Sequence, residues 1–128
     1  MPSCLGIIGC GNMANAIVTG LSVDKAGFQD ILVNDINEEK ALNFSREYGV
    51  RAVDYQTLWK ECAALILAVK PYQVKEVLNL GRGHWRPGRL IISIAAGIKL
   101  VSIETVTDNL LPVIRVMPNT PCLIGQGI

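Results

Sequence analysis

Short apolar runs alternate along this chain with stretches whose apolar residues recur at helical spacing. Cys4–Gly9 is a continuous, β-rich apolar run, the pattern of a strand buried on both faces. Asn12–Leu21 follows, with Ala14, Ile17, Val18 and Leu21 at helical spacing. Ile31–Asp35 predicts a second strand. Asn37 reads as the N-cap of a helix running to Tyr48, with Glu38 and Glu39 in the first turn, where the dipole favours carboxylates, and Gly49 as its stop. Val50–Val53 is a short third strand, Thr57–Cys62 a helical turn or two, and Leu65–Val69 a strand. Pro71 suits the first position of a helix ending near Leu80. Gly81–Arg89 is a loop, Leu90–Ala95 a strand, Leu100–Leu110 a helix and Pro112–Met117 a last strand. This alternation predicts an α/β fold, a doubly wound parallel sheet with helices on both faces, built from right-handed βαβ units.

Composition narrows the classes. The 128 residues amount to one domain, 1–128, with enough chain for a proper core. Hydrophobic residues make up 50% and charged residues 18%, which excludes a disordered tail. Twelve Lys/Arg against eleven Asp/Glu leave a net charge of +1, too little positive surplus for a dedicated binder of nucleic acid or anionic membrane. Aromatics at 5% argue against base-stacking platforms. Cys4, Cys10, Cys62 and Cys122 form no C-x-x-C pair and His84 is the one histidine, so no metal site is expected. Buried thiols in a reducing compartment are the default reading. The longest apolar stretches, Ala63–Val69 and Leu90–Ile98, fall well short of the ~20 residues of a membrane span. The opening apolar run is broken by glycines, unlike a secretory signal. The expectation is a cytoplasmic protein with no membrane partner.

The candidate chemistry starts where the first strand ends. Gly9-Cys10-Gly11-Asn12-Met13-Ala14 is G-x-G-x-x-A at a strand-to-helix turn. Gly9 permits the tight turn, Gly11 lets backbone approach a pyrophosphate, and Ala14 lets the helix pack closely on the strand. Free N–H groups at the helix start then face the anion. Asp35 follows Ala14 by 21 residues, where a carboxylate accepts hydrogen bonds from an adenosine ribose. Together these predict a dinucleotide site, Asn34 and Asp35 included, against the alternative of a purely structural turn. A 2′-phosphate beside Asp35 meets a like charge, and Asn34–Asn37 holds no arginine, so NADH is favoured over NADPH. Lys40 and Arg46 are near enough in sequence to reach round. Cys10 sits beside a helix N-terminus, a place that lowers a thiol's pKa, but an inert small residue is the simpler reading.

Three further segments stand at strand ends: Ala68-Val69-Lys70-Pro71, Ser93-Ile94-Ala95-Ala96-Gly97-Ile98, and Arg115-Val116-Met117-Pro118-Asn119-Thr120-Pro121. Ligands in open parallel sheets sit beyond the carboxyl ends of the strands, so these segments are expected to line one crevice with the glycine loop. With that loop they closely resemble pyrroline-5-carboxylate reductase, from Cys4 to Ile128. The resemblance implies reduction of the cyclic imine 1-pyrroline-5-carboxylate to L-proline with NADH or NADPH. It implies a Rossmann-type domain in which Lys70 lies near the nicotinamide ribose and Ala95, Ala96 and Gly97 lie against a flat ring. Asn119 and Thr120 have side chains able to hydrogen-bond a carboxylate or carboxamide, and Met13 and Met117 read as apolar walls. No residue is singled out as certainly catalytic; Lys70, Asn119 and Thr120 are the candidates nearest nicotinamide and substrate. His84 and three arginines lie in the Gly81–Arg89 loop, which precedes a strand and is expected away from the crevice.

The family carries a second, all-helical domain that forms the dimer and completes the imine site. That domain is expected to be missing here, leaving an apolar face that invites homo-oligomers. Two alternatives stay open beside the cofactor half of that enzyme. One is a stand-alone NAD(H)-binding or interaction module without catalysis. The other is a related F420-dependent or 6-phosphogluconate dehydrogenase-like reductase.

Overall fold

Residues 4–21, 30–83, 88–94, 100–107 and 111–116 are described by a computed structural model of the chain. Its elements are β1 (Cys4–Ile8), α1 (Asn12–Leu21), β2 (Asp30–Asn34), α2 (Glu38–Tyr48), β3 (Arg51–Ala52), α3 (Tyr55–Glu61), β4 (Cys62–Leu67), α4 (Val74–Leu80), β5 (Leu90–Ser93), α5 (Leu100–Val106) and β6 (Val113–Arg115). The strands form one sheet in the order β3-β2-β1-β4-β5-β6, and every pairing is parallel. This is the doubly wound, Rossmann-type arrangement, and its strand order reverses between β1 and β4. The crevice outside that switch point is where such sheets take ligands.

Side-chain alternation along the strands sorts the core into two layers. Leu5 and Ile7 of β1 pack with Ala14, Val18, Ile31, Val33, Ala41 and Phe44 beneath α1 and α2. Cys4 and Ile8 face the other way, against Leu58, Trp59, Leu65, Leu67, Val77, Leu78 and Ile103 on the side of α3, α4 and α5. Full burial of each large apolar side chain stabilises the fold by about 1.5–3 kcal/mol. Gly6 lies in mid-strand where the start of β4 and α3 crowd it: a Cβ there would sit 2.9 Å from Cys62 Sγ and 3.1 Å from Leu58 Cδ1. Among the described residues, the layer over β5 and β6 opposite α4 and α5 is thinner. Leu90, Ile92 and Ile94 are partly buried there, and Ile114, the register partner of Ile92, is 49% exposed.

Several boundaries differ from the sequence expectation, each for a local reason. The second strand ends at Asn34 rather than Asp35, because the Asp35 carboxylate accepts the Asn37 N–H at 2.8 Å and turns the chain. α3 begins at Tyr55 rather than Thr57: Asp54 is an N-cap whose Oδ1 accepts the Thr57 N–H at 2.8 Å. α3 also ends one residue earlier than expected, at Glu61, and Cys62 opens β4. β4 spans Cys62–Leu67 rather than Leu65–Val69, for the small Ala63-Ala64 pair belongs to the strand. A register shift between Cys4 and Leu5 opposite that start puts Cys62 on the same face as Leu65 and Leu67. The expected helix from Pro71 opens as a 3-10 turn, Pro71–Gln73, before α4 proper. Only Arg51–Ala52 of the third strand pairs, and α5 gives way to a turn at Thr107. Residues 108–110, the end expected for α5, lie outside the described residues, as do Ala95 and Met117, the ends expected for the fifth and sixth strands. α2 is as read: Asn37 caps its start by accepting the Lys40 N–H, and Gly49 closes it at φ 68°. Among the described residues no helix is long and apolar enough to cross a membrane.

Candidate functional site

Strand ends converge at the switch point by backbone hydrogen bonds. Gly9 N–H donates to Asn34 O and Ala68 N–H to Ile8 O, each at 2.8 Å, so the exits of β2, β1 and β4 are stitched side by side. Ile94 N–H donates to Leu67 O at 3.2 Å and adds the exit of β5. Gly9 adopts φ 104°, open in practice only to glycine, and a Cβ there would lie 2.6 Å from Ala68 O. Gly11 differs, since a Cβ built on it meets nothing within 4 Å. It borders a cavity of about 310 Å³. The first intrahelical bond of α1 runs from Asn15 N–H to Gly11 O at 3.0 Å. The N–H groups of Asn12, Met13 and Ala14 therefore have no partner inside the helix, the usual state of a first turn.

One wall of the cavity carries Gly9, Cys10, Gly11 and Met13, and the opposite wall carries Ala68, Val69, Lys70 and Pro71. Asp35 closes one end. Its Oδ2 accepts the Cys10 N–H and its Oδ1 the Asn37 N–H, both at 2.8 Å. A carboxylate offers about four lone-pair positions, so each oxygen keeps room for a ligand hydroxyl. Lys70 is exposed and extended (φ −65°, ψ 149°), as a residue before proline must be. Its N–H donates to Gln73 Oε1 at 3.1 Å, which fixes the turn after β4. Burial, then the Asp35 charge, push the Cys10 thiol up to about 12, against a weaker opposing effect of Lys40. That direction is opposite to the one a helix N-terminus alone would impose on a thiol.

Two of the expected site residues point elsewhere. Ala14 is fully buried beneath α1, so it shapes the site only by letting the helix sit close to the sheet. The Asn34 side chain turns towards β3, where Nδ2 donates to Val53 O at 2.7 Å. It lines a neighbouring groove of about 470 Å³ together with Asp35, Glu38, Asp54 and Tyr55, and no Lys or Arg lines that groove. Burial, then Asp35 and Glu76, raise the Tyr55 hydroxyl to about 12. Arg46 is absent from both linings, whereas Lys40 lines the main cavity. Ile94, from the Ser93–Ile98 segment, also lines it, as do Ile36 and Gln73, which no motif marks. Ala95, Ala96, Gly97, Met117, Asn119 and Thr120 lie outside the described residues, and so does His84. At the far end of the sheet, Arg89 Nη2 donates to Lys60 O at 2.7 Å, so Arg89, just before β5, lies away from the crevice.

Chemically, the cavity combines free amides at a helix start, a glycine whose missing side chain leaves space, a carboxylate and apolar walls. That set fits a phosphate or diphosphate ester bearing a ribose and a flat ring.

Comparison with known proteins agrees with the geometry. Residues 4–97 match the family described as NADP oxidoreductase, coenzyme F420-dependent. The pyrroline-5-carboxylate reductase of Haemophilus influenzae is 36% identical over 124 residues, covering 97% of this chain and 46% of that protein. The solved pyrroline-5-carboxylate reductase of Coxiella burnetii superposes with a TM-score of 0.82 at 32% identity, covering 97% of this chain and 47% of the other. The Plasmodium falciparum pyrroline carboxylate reductase, solved with NADP bound, shares the fold with a TM-score of 0.75 at 24% identity, covering 98% of this chain and 45% of the other. The chain thus spans about half the length of the relatives it matches.

Proposed function

Because the chain belongs to the family of NADP oxidoreductases, coenzyme F420-dependent, and aligns with pyrroline-5-carboxylate reductases over nearly its whole length, we propose that it is the cofactor-binding half of a reductase. That enzyme would convert 1-pyrroline-5-carboxylate to L-proline. The observation that carries the reading is the open space over Gly11, set between the start of α1 and Asp35. In this reading the diphosphate rests on the amides of Gly11–Ala14, and Asp35 takes the adenosine ribose. Ile36 and Val69, facing across the same cavity, flank the adenine.

The bound dihydronicotinamide supplies a hydride, which is the cofactor's own chemistry. The chain's residues hold and orient. Lys70, on the exit of β4, places a cation by the nicotinamide ribose, and Pro71 with Gln73 fixes the turn that presents it. Ala95, Ala96, Gly97, Met117, Asn119 and Thr120 belong to this proposal through the family resemblance, as contacts of the nicotinamide and the imine.

NADH is the cofactor this site prefers. The groove adjoining Asp35 is walled by Asp35, Glu38 and Asp54 and lined by no cation, so a 2′-phosphate turned that way meets like charge. Calorimetric titration with both cofactors tests this, with NADH expected to bind tighter by roughly three- to tenfold. Tighter NADPH binding would show that Lys40 reaches the phosphate and reverses the preference. Pyrroline-5-carboxylate-dependent oxidation of NADH tests the reaction itself. Turnover would exclude a module that binds the cofactor and catalyses nothing, whereas NADH binding without turnover would fit that module and the cofactor-binding half alike.

A further inference from the structure

The glycine loop is tied down by a side chain 25 residues away. Gly9 N–H donates to Asn34 O, and Cys10 N–H, the next amide, donates to Asp35 Oδ2, both at 2.8 Å. Beyond Cys10, Gly11 O receives the first bond of α1 from Asn15 N–H. Gly11 is therefore fixed from one side by the helix and from the other by the Asp35 carboxylate. The carboxylate is held in turn, because its Oδ1 accepts the Asn37 N–H in a turn that leads into the cap of α2. Cys10 is 6% exposed, and its N–H is held by the Asp35 carboxylate.

We infer that Asp35 is a positioning residue for the anion cradle as well as a ribose acceptor: its carboxylate sets the shape of the glycine loop through the Cys10 amide. The inference deepens the dinucleotide reading, and its ligand arm rests on that reading. It separates two effects that a ribose contact alone would join. If Asp35 only met ribose hydroxyls, its removal would leave a ligand without those hydroxyls unaffected. Simple electrostatics goes further, since deleting a negative charge beside an anion site strengthens anion binding. A loop held by Asp35 gives the opposite sign, for a cradle that must be ordered on binding binds more weakly.

The test is the Asp35→Ala variant of the full chain, its fold checked by circular dichroism. Two readouts are compared with the parent: the exchange rate of the Cys10 amide by NMR, and the affinity for 2′,3′-dideoxyadenosine 5′-diphosphate. That probe keeps the adenine and diphosphate but carries no ribose hydroxyl. The expected result is Cys10 exchange at least tenfold faster, with the protected amides of β1 and β4 unchanged, and probe binding three- to tenfold weaker. Unchanged Cys10 exchange overturns the inference outright. Faster exchange with equal or tighter probe binding overturns it too, by showing a loop loosened without cost to the cradle. Should the parent chain bind neither the probe nor NADH, the dinucleotide reading fails separately, and Cys10 exchange alone decides whether Asp35 holds the loop. Asp35→Asn, which keeps one acceptor oxygen, guards against misfolding and is expected to fall between parent and Asp35→Ala in exchange rate. Exchange as slow as in the parent would show that the charge is not what holds the loop.

Discussion

At Gly9 a methyl group would lie 2.6 Å from the Ala68 carbonyl oxygen on a backbone at φ 104°; at Gly11, two positions on, it would meet nothing within 4 Å. The first glycine is required by the folded chain itself, since two strand exits cross there with no room between them. No contact among the described residues requires the second. A cavity is kept open over it, beside helix amides that have no partner inside the helix. One motif thus holds a glycine whose surroundings exclude a side chain and a glycine whose surroundings do not, a difference the letters alone do not carry.

Substitutions sharpen the contrast. Gly9→Ala combines backbone strain with a carbonyl clash and is expected to destabilise the protein by roughly 3 kcal/mol, read as a lower urea midpoint. Gly81→Ala isolates the clash. Its backbone is ordinary helix at φ −82°, but the added Cβ would lie 2.5 Å from Nε1 of the fully buried Trp59. A cost of about 1–3 kcal/mol is expected, with a change in tryptophan fluorescence as the ring shifts. An equal cost for the two variants would mean that strain at Gly9 contributes nothing.

Alkaline pH has a smaller effect. Cys10, Cys62 and Tyr55 are each raised to about 12, chiefly by burial. The folded state keeps these protons where the unfolded chain has released them, so the stability they contribute is intact below the unfolded values. It is lost as pH rises from about 9 towards 12. The urea midpoint is expected to fall across that window, while Cys10 stays unreactive to iodoacetamide at pH 8. Rapid labelling of Cys10 in the folded protein at that pH would contradict its inertness.

What could be read in the letters follows the same division. α2 was legible because Asn37 and Gly49 mark its ends with side-chain and backbone chemistry local to the chain. The start of α3 is less legible: Asp54 caps it as Asn37 caps α2, but no acidic residue follows in the first turn to mark it. β4 was placed three residues late because Ala63-Ala64 carries little β signal, and the register shift at its start depends on the neighbouring strand. In the site, Gly9, Gly11 and Asp35 follow from the motif and its spacing. The groove that the Asn34 side chain lines is not legible in the sequence, because its direction past the strand end is set by a hydrogen bond to Val53 O. Ile36 and Gln73 carry no motif and reach the cavity only through the turns that Asp35 and Pro71 impose.

The most direct test is to titrate NADH into the parent chain and into Gly11→Leu, side by side, by calorimetry. A Cβ at this position meets nothing within 4 Å among the described residues, so the variant is expected to stay within about 1 kcal/mol of the parent in stability, which a urea titration checks. The account predicts saturable one-to-one binding by the parent and a loss of at least a hundredfold in the variant. Equal binding by both, or none by the parent at saturating NADH, would contradict it.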